Sequence, residues 1–107
     1  MIMENKYEAI MCIVNSGFSE DVMDAARTAG ARGGTVIHGR GTASAQAEKL
    51  FGISIQPEKE IVIIIAESAI KDEILHAVYK KVGLDSPGQG IAFSLPVSDV
   101  AGLSKAE

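Results

Sequence analysis

The sequence predicts an α+β domain of the ferredoxin-like class: a βαββαβ sandwich with a four-stranded antiparallel sheet and two helices on one face. Three observations predict it. Four short runs rich in Ile, Val and other apolar residues begin near Tyr7, Gly34, Glu60 and Ile91. A helical stretch separates the first run from the second, and another the third from the fourth. Each half then reads as a right-handed strand–helix–strand crossover. With 107 residues, 47% of them hydrophobic, residues 1–107 form one domain with a core that needs no disulfide.

Tyr7 to Asn15 is the first strand, and Asn15-Ser16-Gly17 ends it. Ser19 stands as a helix N-cap, and Glu20 and Asp21 complement the positive helix start. Val22, Met23, Ala26 and Ala29 fall near helical spacing, and Gly30 supplies the stop. Gly34 to Arg40 is the second strand. Thr42 to Lys59 is polar and small-residue-rich without clear periodicity, so it reads as a long loop, expected to be mobile over Ala43 to Gly52 and to order on a partner. Glu60 to Glu67 is the strongest strand. Ser68 caps a second helix whose apolar stripe is Ile70, Ile74, Leu75, Val78 and Val82, and Gly83 stops it. Ile91 to Val97 is the last strand, with Pro96 marking it as an edge. Ser98 to Glu107 is a loose tail.

The composition excludes several classes. The net charge of −4 and the lack of a Lys/Arg cluster argue against nucleic acid. The single cysteine, Cys12, lies in an apolar strand and reads as a small buried hydrophobe. Met1 to Lys6 lacks the basic start and long apolar stretch of a signal peptide, and Ile61 to Ala66 is too short to span a bilayer, so a cytoplasmic location is expected. His38 and His76 have no metal-motif spacing. No Ser-His-Asp, Cys-His or paired-carboxylate arrangement stands out, so the chain is not expected to be an enzyme. The third strand carries more apolar surface than two helices can cover, which predicts a homo-oligomer. Two glycine clusters, one from Gly30 to Gly41 and one from Gly83 to Gly90, suggest a ligand cleft built from backbone.

These residues resemble a known family. Gly30-x-x-Gly-x-Thr-Val, Gly41, a long loop, an Ile/Val strand, then Gly88-x-Gly90 and Phe93 look like the P-II nitrogen-regulatory signalling proteins over nearly the whole chain. The resemblance implies a homotrimer that binds ATP or ADP in inter-subunit clefts, and the preserved adenine side admits AMP as well. It also implies a T-loop that controls a partner enzyme or membrane transporter. On that resemblance, Ile13 and Thr35 contact the adenine, Gly41 flanks the nucleotide, and Ile64 packs on the ribose side. Gly88, Gln89 and Gly90 form the phosphate loop, closed by a neighbour's C-terminal segment. Arg40 is a candidate phosphate ligand. The T-loop falls on Thr42 to Lys59, with the apolar residues Leu50, Phe51, Ile53 and Ile55 as a partner-docking tip.

The departures matter equally. The family's basic phosphate ligands fall on Ser44, Ile91, Gly102 and Ser104. Arg32, Arg40, Lys49 and Lys59 are the cations available to replace them. The T-loop holds no tyrosine and so offers no site for the uridylylation of proteobacterial relatives. Two alternatives stay open. One is a P-II-like regulator of transport or inorganic-carbon metabolism with AMP, ADP or a small anion as effector. The other is a structural or metal-handling ferredoxin-like trimer.

Overall fold

The computed structural model describes residues 6–42, 45–52 and 57–103. The elements run β1 (Tyr7–Asn15), α1 (Ser19–Thr28), β2 (Thr35–Arg40), α2 (Ala45–Phe51), β3 (Glu58–Glu67), a 3-10 turn (Ser68–Ile70), α3 (Lys71–Val82) and β4 (Ile91–Val97). The four strands form one sheet in the order β2-β3-β1-β4, and every neighbouring pair is antiparallel. This is the ferredoxin-like arrangement that the sequence predicts. β4 is an edge strand, so Pro96 withholds a hydrogen bond where one flank has no partner.

α1 and α3 pack together over one face of the sheet. Ile10, Cys12 and Val14 of β1 and Val62, Ile64 and Ala66 of β3 point into that core. They meet Val22, Met23, Ala25 and Ala26 of α1 and Ile74, Val78 and Val82 of α3. Cys12 is fully buried there, and burial pushes its thiol up to about 11.

The other face is apolar too, and the strand register lays it out in rows. Ile37, Ile61, Ile13 and Ile91 pair across all four strands in a single row. Thr35, Ile63, Met11 and Phe93 form the next, followed by Ile65, Ala9 and Leu95. No helix among the described residues covers these side chains, and Ile37, Ile91, Phe93 and Leu95 are exposed.

Three local differences from the sequence expectations have physical causes. The long Thr42–Lys59 segment contains α2, although its apolar residues show no helical period. Ala, Gln, Glu, Lys and Leu all favour helix intrinsically, a propensity that the missing apolar period does not register. The expected mobile stretch thus contains a helix. Ser68 opens a 3-10 turn rather than capping α3 directly. Ser19 is the first residue of α1, after Phe18 at the cap position, whose side chain makes no cap hydrogen bond.

Glu60 takes over that capping role from across the sheet. Its Oε1 accepts the backbone N–H of Gly17 at 2.7 Å and of Ser19 at 3.2 Å. Glu60 is only 8% exposed, and it satisfies donors at the helix start that Phe18 cannot. The Gly17 N–H is the main influence holding its carboxyl below the ordinary 4.5; burial opposes it, while Ser19 and His38 assist.

Glu60→Ala is expected to cost about 1–3 kcal/mol in urea unfolding at neutral pH, because it leaves two N–H groups without their charged acceptor. The contribution is fully present above the unfolded carboxyl value near 4.5 and is lost as pH falls through the lower folded value. The gap between wild type and variant should therefore narrow on acidification. An unchanged gap down to pH 2 contradicts this assignment.

Candidate functional site

Of the predicted site residues, Ile13, Arg40, Gly41 and Gly88 to Gly90 lie at one end of the sheet, where β1 and β2 end and β3 and β4 begin, whereas Thr35 starts β2 and Ile64 lies within β3. Ile13 and Ile91 are paired there, and Asn15 ties three segments together. The Asn15 backbone N–H donates to the Gly88 carbonyl at 2.8 Å, and its Nδ2 donates to the Pro87 carbonyl at 2.9 Å. Lys59 Nζ donates to Asn15 Oδ1 at 2.7 Å. The Gly83–Gly90 loop is thus bound to β1, and Gly83 and Gly90 close it with a parallel bridge.

This loop does not offer the backbone cradle that its glycines suggest. The Gly90 N–H donates to the Val82 carbonyl at 2.7 Å, and the Gln89 N–H to the Ser86 carbonyl at 2.9 Å. Both amides expected to meet a phosphate are spent inside the chain. Gly90 is buried, and a Cβ there would lie 2.5 Å from the Val82 carbonyl and 2.8 Å from Val14 Cγ1. Its glycine is needed for packing against α3 and β1, not for room around a ligand. Gly88 is buried as well, against Val82 and Phe18. Gln89 alone of the three faces solvent, held at φ 45°. At the end of β2, the Gly41 N–H is also occupied, donating to Pro57 O at 2.7 Å.

Ile64 is a second correction. Its side chain is 0% exposed and faces the helices, whereas Ile13 faces the open side of the sheet. The two cannot sandwich one purine from their side chains. Thr35 lies on the open face with Ile13, one row away.

Side chains rather than amides carry the polar chemistry at this end of the sheet, and they include a carboxylate, Glu58, as well as cations. Ser16, His38, Gly39, Arg40, Glu58 and Lys59 line an open groove of about 410 Å³. Arg40 and His38 share a face of the sheet with Glu58 and Glu60 of β3, whereas Lys59 pairs with Gly39 on the opposite face. His38 Nδ1 also lies 3.8 Å from Glu60 Oε2, which links the groove to the start of α1. Of the cations proposed as replacements, only Arg40 and Lys59 line this groove. Arg32 lies at the opposite end, and Lys49 lies on α2. The antiparallel β2–β3 register aligns His38 with Glu60 and Arg40 with Glu58, a pairing that spacing along the chain alone does not reveal. Ile91, at the position of an expected lysine, lies on the open face in the isoleucine row. Among the described residues no three His, Cys, Asp or Glu side chains gather into a metal site.

Leu50 of the implied docking tip is 79% exposed on α2. Phe51 ends that helix, and Ile53 and Ile55 lie outside the described residues, as do Ser44 and Ser104. Gly102 is described and has φ 95°. Residues 98–103 follow β4 away from the groove, and Leu103 lines a cavity beside Tyr7 of the same chain.

The family model for the nitrogen regulatory protein P-II matches residues 7–107. The chain belongs to the P-II family. Among solved structures, a P-II protein of Arabidopsis thaliana bound to citrate is 25% identical, with a TM-score of 0.73. The match covers 100% of this chain and 92% of that one. A Bacillus subtilis GlnK–ATP complex is 18% identical with a TM-score of 0.65, over 91% of this chain and 86% of that one. A Bacillus cereus protein related to NIF3 shares the fold at 15% identity and TM-score 0.70. There the match covers 92% of this chain but 27% of the other. No curated protein matches this sequence. P-II proteins are regulatory signalling proteins, which agrees with the expectation from the sequence.

Gly90→Ala is expected to lower stability by about 1–3 kcal/mol, since the added carbon meets a carbonyl and a core methyl. Gln89→Gly should leave stability equal or raise it by up to about 1 kcal/mol, because glycine accepts a positive φ without strain. Thermal unfolding of both variants separates packing from ligand contact, since both shifts should appear without any added nucleotide.

Proposed function

We propose that this chain is a cytoplasmic P-II regulator that works as a homotrimer, senses an adenine nucleotide at the Asn15 end of the sheet and acts on a partner protein through its T-loop, Thr42 to Lys59. The uncovered isoleucine row carries the trimer reading. A face on which Ile37, Ile61, Ile13 and Ile91 line up across four strands is an exposed apolar surface of the kind that oligomer formation buries. The groove opens beside that row, so a neighbouring subunit seated on the face would form its second wall.

The nucleotide reading rests on three features: family membership, the ATP complex of the Bacillus subtilis relative, and the cations of the groove. Arg40 and Lys59 supply the charge for phosphate. Thr35 and Ile13 offer one polar and one apolar contact on the adjoining face. The partner reading rests on α2, which presents Leu50 to solvent between the two strands that flank the groove. A role in nitrogen regulation follows from the family name alone. The citrate bound to the Arabidopsis relative favours a second effector class. His38, Arg40 and Lys59 line the groove together with Glu58, and a small carboxylate held by the cations would compete with the nucleotide.

Light scattering should give about three times the 11.2 kDa chain mass, and Ile61→Asp should give the monomer. A monomeric wild type overturns the trimer. Calorimetry with AMP, ADP and ATP should show binding that differs by less than about tenfold along the series, because exposed ion pairs contribute only about 0.2–1 kcal/mol each. Arg40→Ala should weaken all three. No adenylate binding at millimolar concentration overturns the nucleotide reading, and a strong preference for ATP overturns the assignment of the charge to this groove.

A further inference from the structure

The opposite end of the sheet holds a cavity that the nucleotide reading does not use. It measures about 500 Å³ and is more enclosed than the cationic groove. Its shape follows from the sheet register. β2 begins at Thr35 opposite Ile63, so Ile65, Ala66 and Glu67 run on without β2 beside them. The Gly30–Arg32 segment crosses that gap, and Ile70 of the 3-10 turn and Leu103 border it. Gly30, at φ 108°, makes the turn that aims the segment there.

The lining has a consistent chemistry. Arg32, Glu67 and the hydroxyl-bearing Tyr7 border the cavity, and among the described residues none of their side chains forms a hydrogen bond or ion pair. Ala31, Ile65, Ala66, Ile70 and Leu103 supply apolar walls. A cation, an anion and an apolar wall around one concavity form a few convergent polar groups in an apolar setting, which is the pattern of a small-molecule site.

We propose that this cavity binds a free α-amino acid with an apolar side chain. Arg32 takes its carboxylate, Glu67 takes its ammonium group, and the side chain packs against Ala31, Ile70 and Leu103. Arg32 suits a carboxylate because its planar guanidinium can donate two parallel hydrogen bonds. The ligand's opposite charges match both side chains at once, whereas a simple anion would leave Glu67 facing it. The site is separate from the nucleotide groove, with which it shares no lining residue.

Calorimetry on the full chain tests this with L-leucine, L-isoleucine and L-phenylalanine as probes. Leucine methyl ester removes the carboxylate charge, and N-acetyl-leucine removes the ammonium charge. At least one free amino acid should bind, and each blocked leucine should bind about tenfold or more weaker than leucine, as expected for loss of a charge-assisted contact. Arg32→Gln and Glu67→Gln should each weaken the free amino acid to a similar degree. Both side chains are exposed, so folding should be retained, checked by circular dichroism. Adenylate binding, measured in the same variants, should not change. Absence of binding by all three amino acids at millimolar concentration overturns the proposal. So does equal binding of the blocked forms, or wild-type affinity in both variants.

Discussion

Two helices cover only one face of a four-stranded sheet, and in this chain both faces are apolar. That constraint organises the molecule. β3 shows it most clearly: Val62, Ile64 and Ala66 enter the core, while Ile61, Ile63 and Ile65 look outward. A strand buried on one side only would alternate apolar with polar residues. The unbroken run Ile61–Ala66 therefore has no account within a single chain and calls for a second covering layer. The candidate groove borders the uncovered face, so its depth and selectivity depend on what covers the row.

The same unbroken run explains why part of the site was hard to read from the sequence. The strand order, the helices over the core and the strand limits at Tyr7–Asn15 and Ile91–Val97 follow from apolar runs and glycine stops. The face of each β3 residue does not, because a run without alternation carries no parity. Glu60 would mislead anyone who tried to set it. A carboxylate at a strand start is normally assigned to solvent, yet here it points to the helix layer because it receives the N–H groups of Gly17 and Ser19. Its partners lie more than forty residues away in sequence, so no local pattern announces the contact. Ile64 takes the helix side for the same reason, and its own run does not reveal it.

The glycine loops teach a related lesson. Glycine marks places where atoms come close, but the sequence does not say which atoms. Near Gly90 they are Val82 and Val14 of the same chain, not those of a ligand. The amides of Gln89 and Gly90 are consumed by the turn that the glycines permit. What the loop exposes is Gln89. Arg40 and Lys59 are legible as basic residues; that Arg40 stands opposite Glu58, and His38 opposite Glu60, follows only from the β2–β3 register.

The two ends of the sheet thus carry different chemistry on shared strands. β3 places Lys59 in the groove and Glu67 in the opposite cavity, and β1 places Asn15, which accepts from Lys59, at the first end and Tyr7 in the cavity. At about 3.3 Å per residue, the ends of the ten-residue β3 lie roughly 30 Å apart. A central strand hydrogen-bonded on both sides is not a two-state element, and coupling over such a distance needs one. Within one chain the two ends are therefore expected to act independently. The surface they share is the isoleucine face, since Ile13 and Ile37 border the groove end and Ile65 lines the cavity. Any influence of one end on the other must pass through the way neighbouring subunits seat on that face.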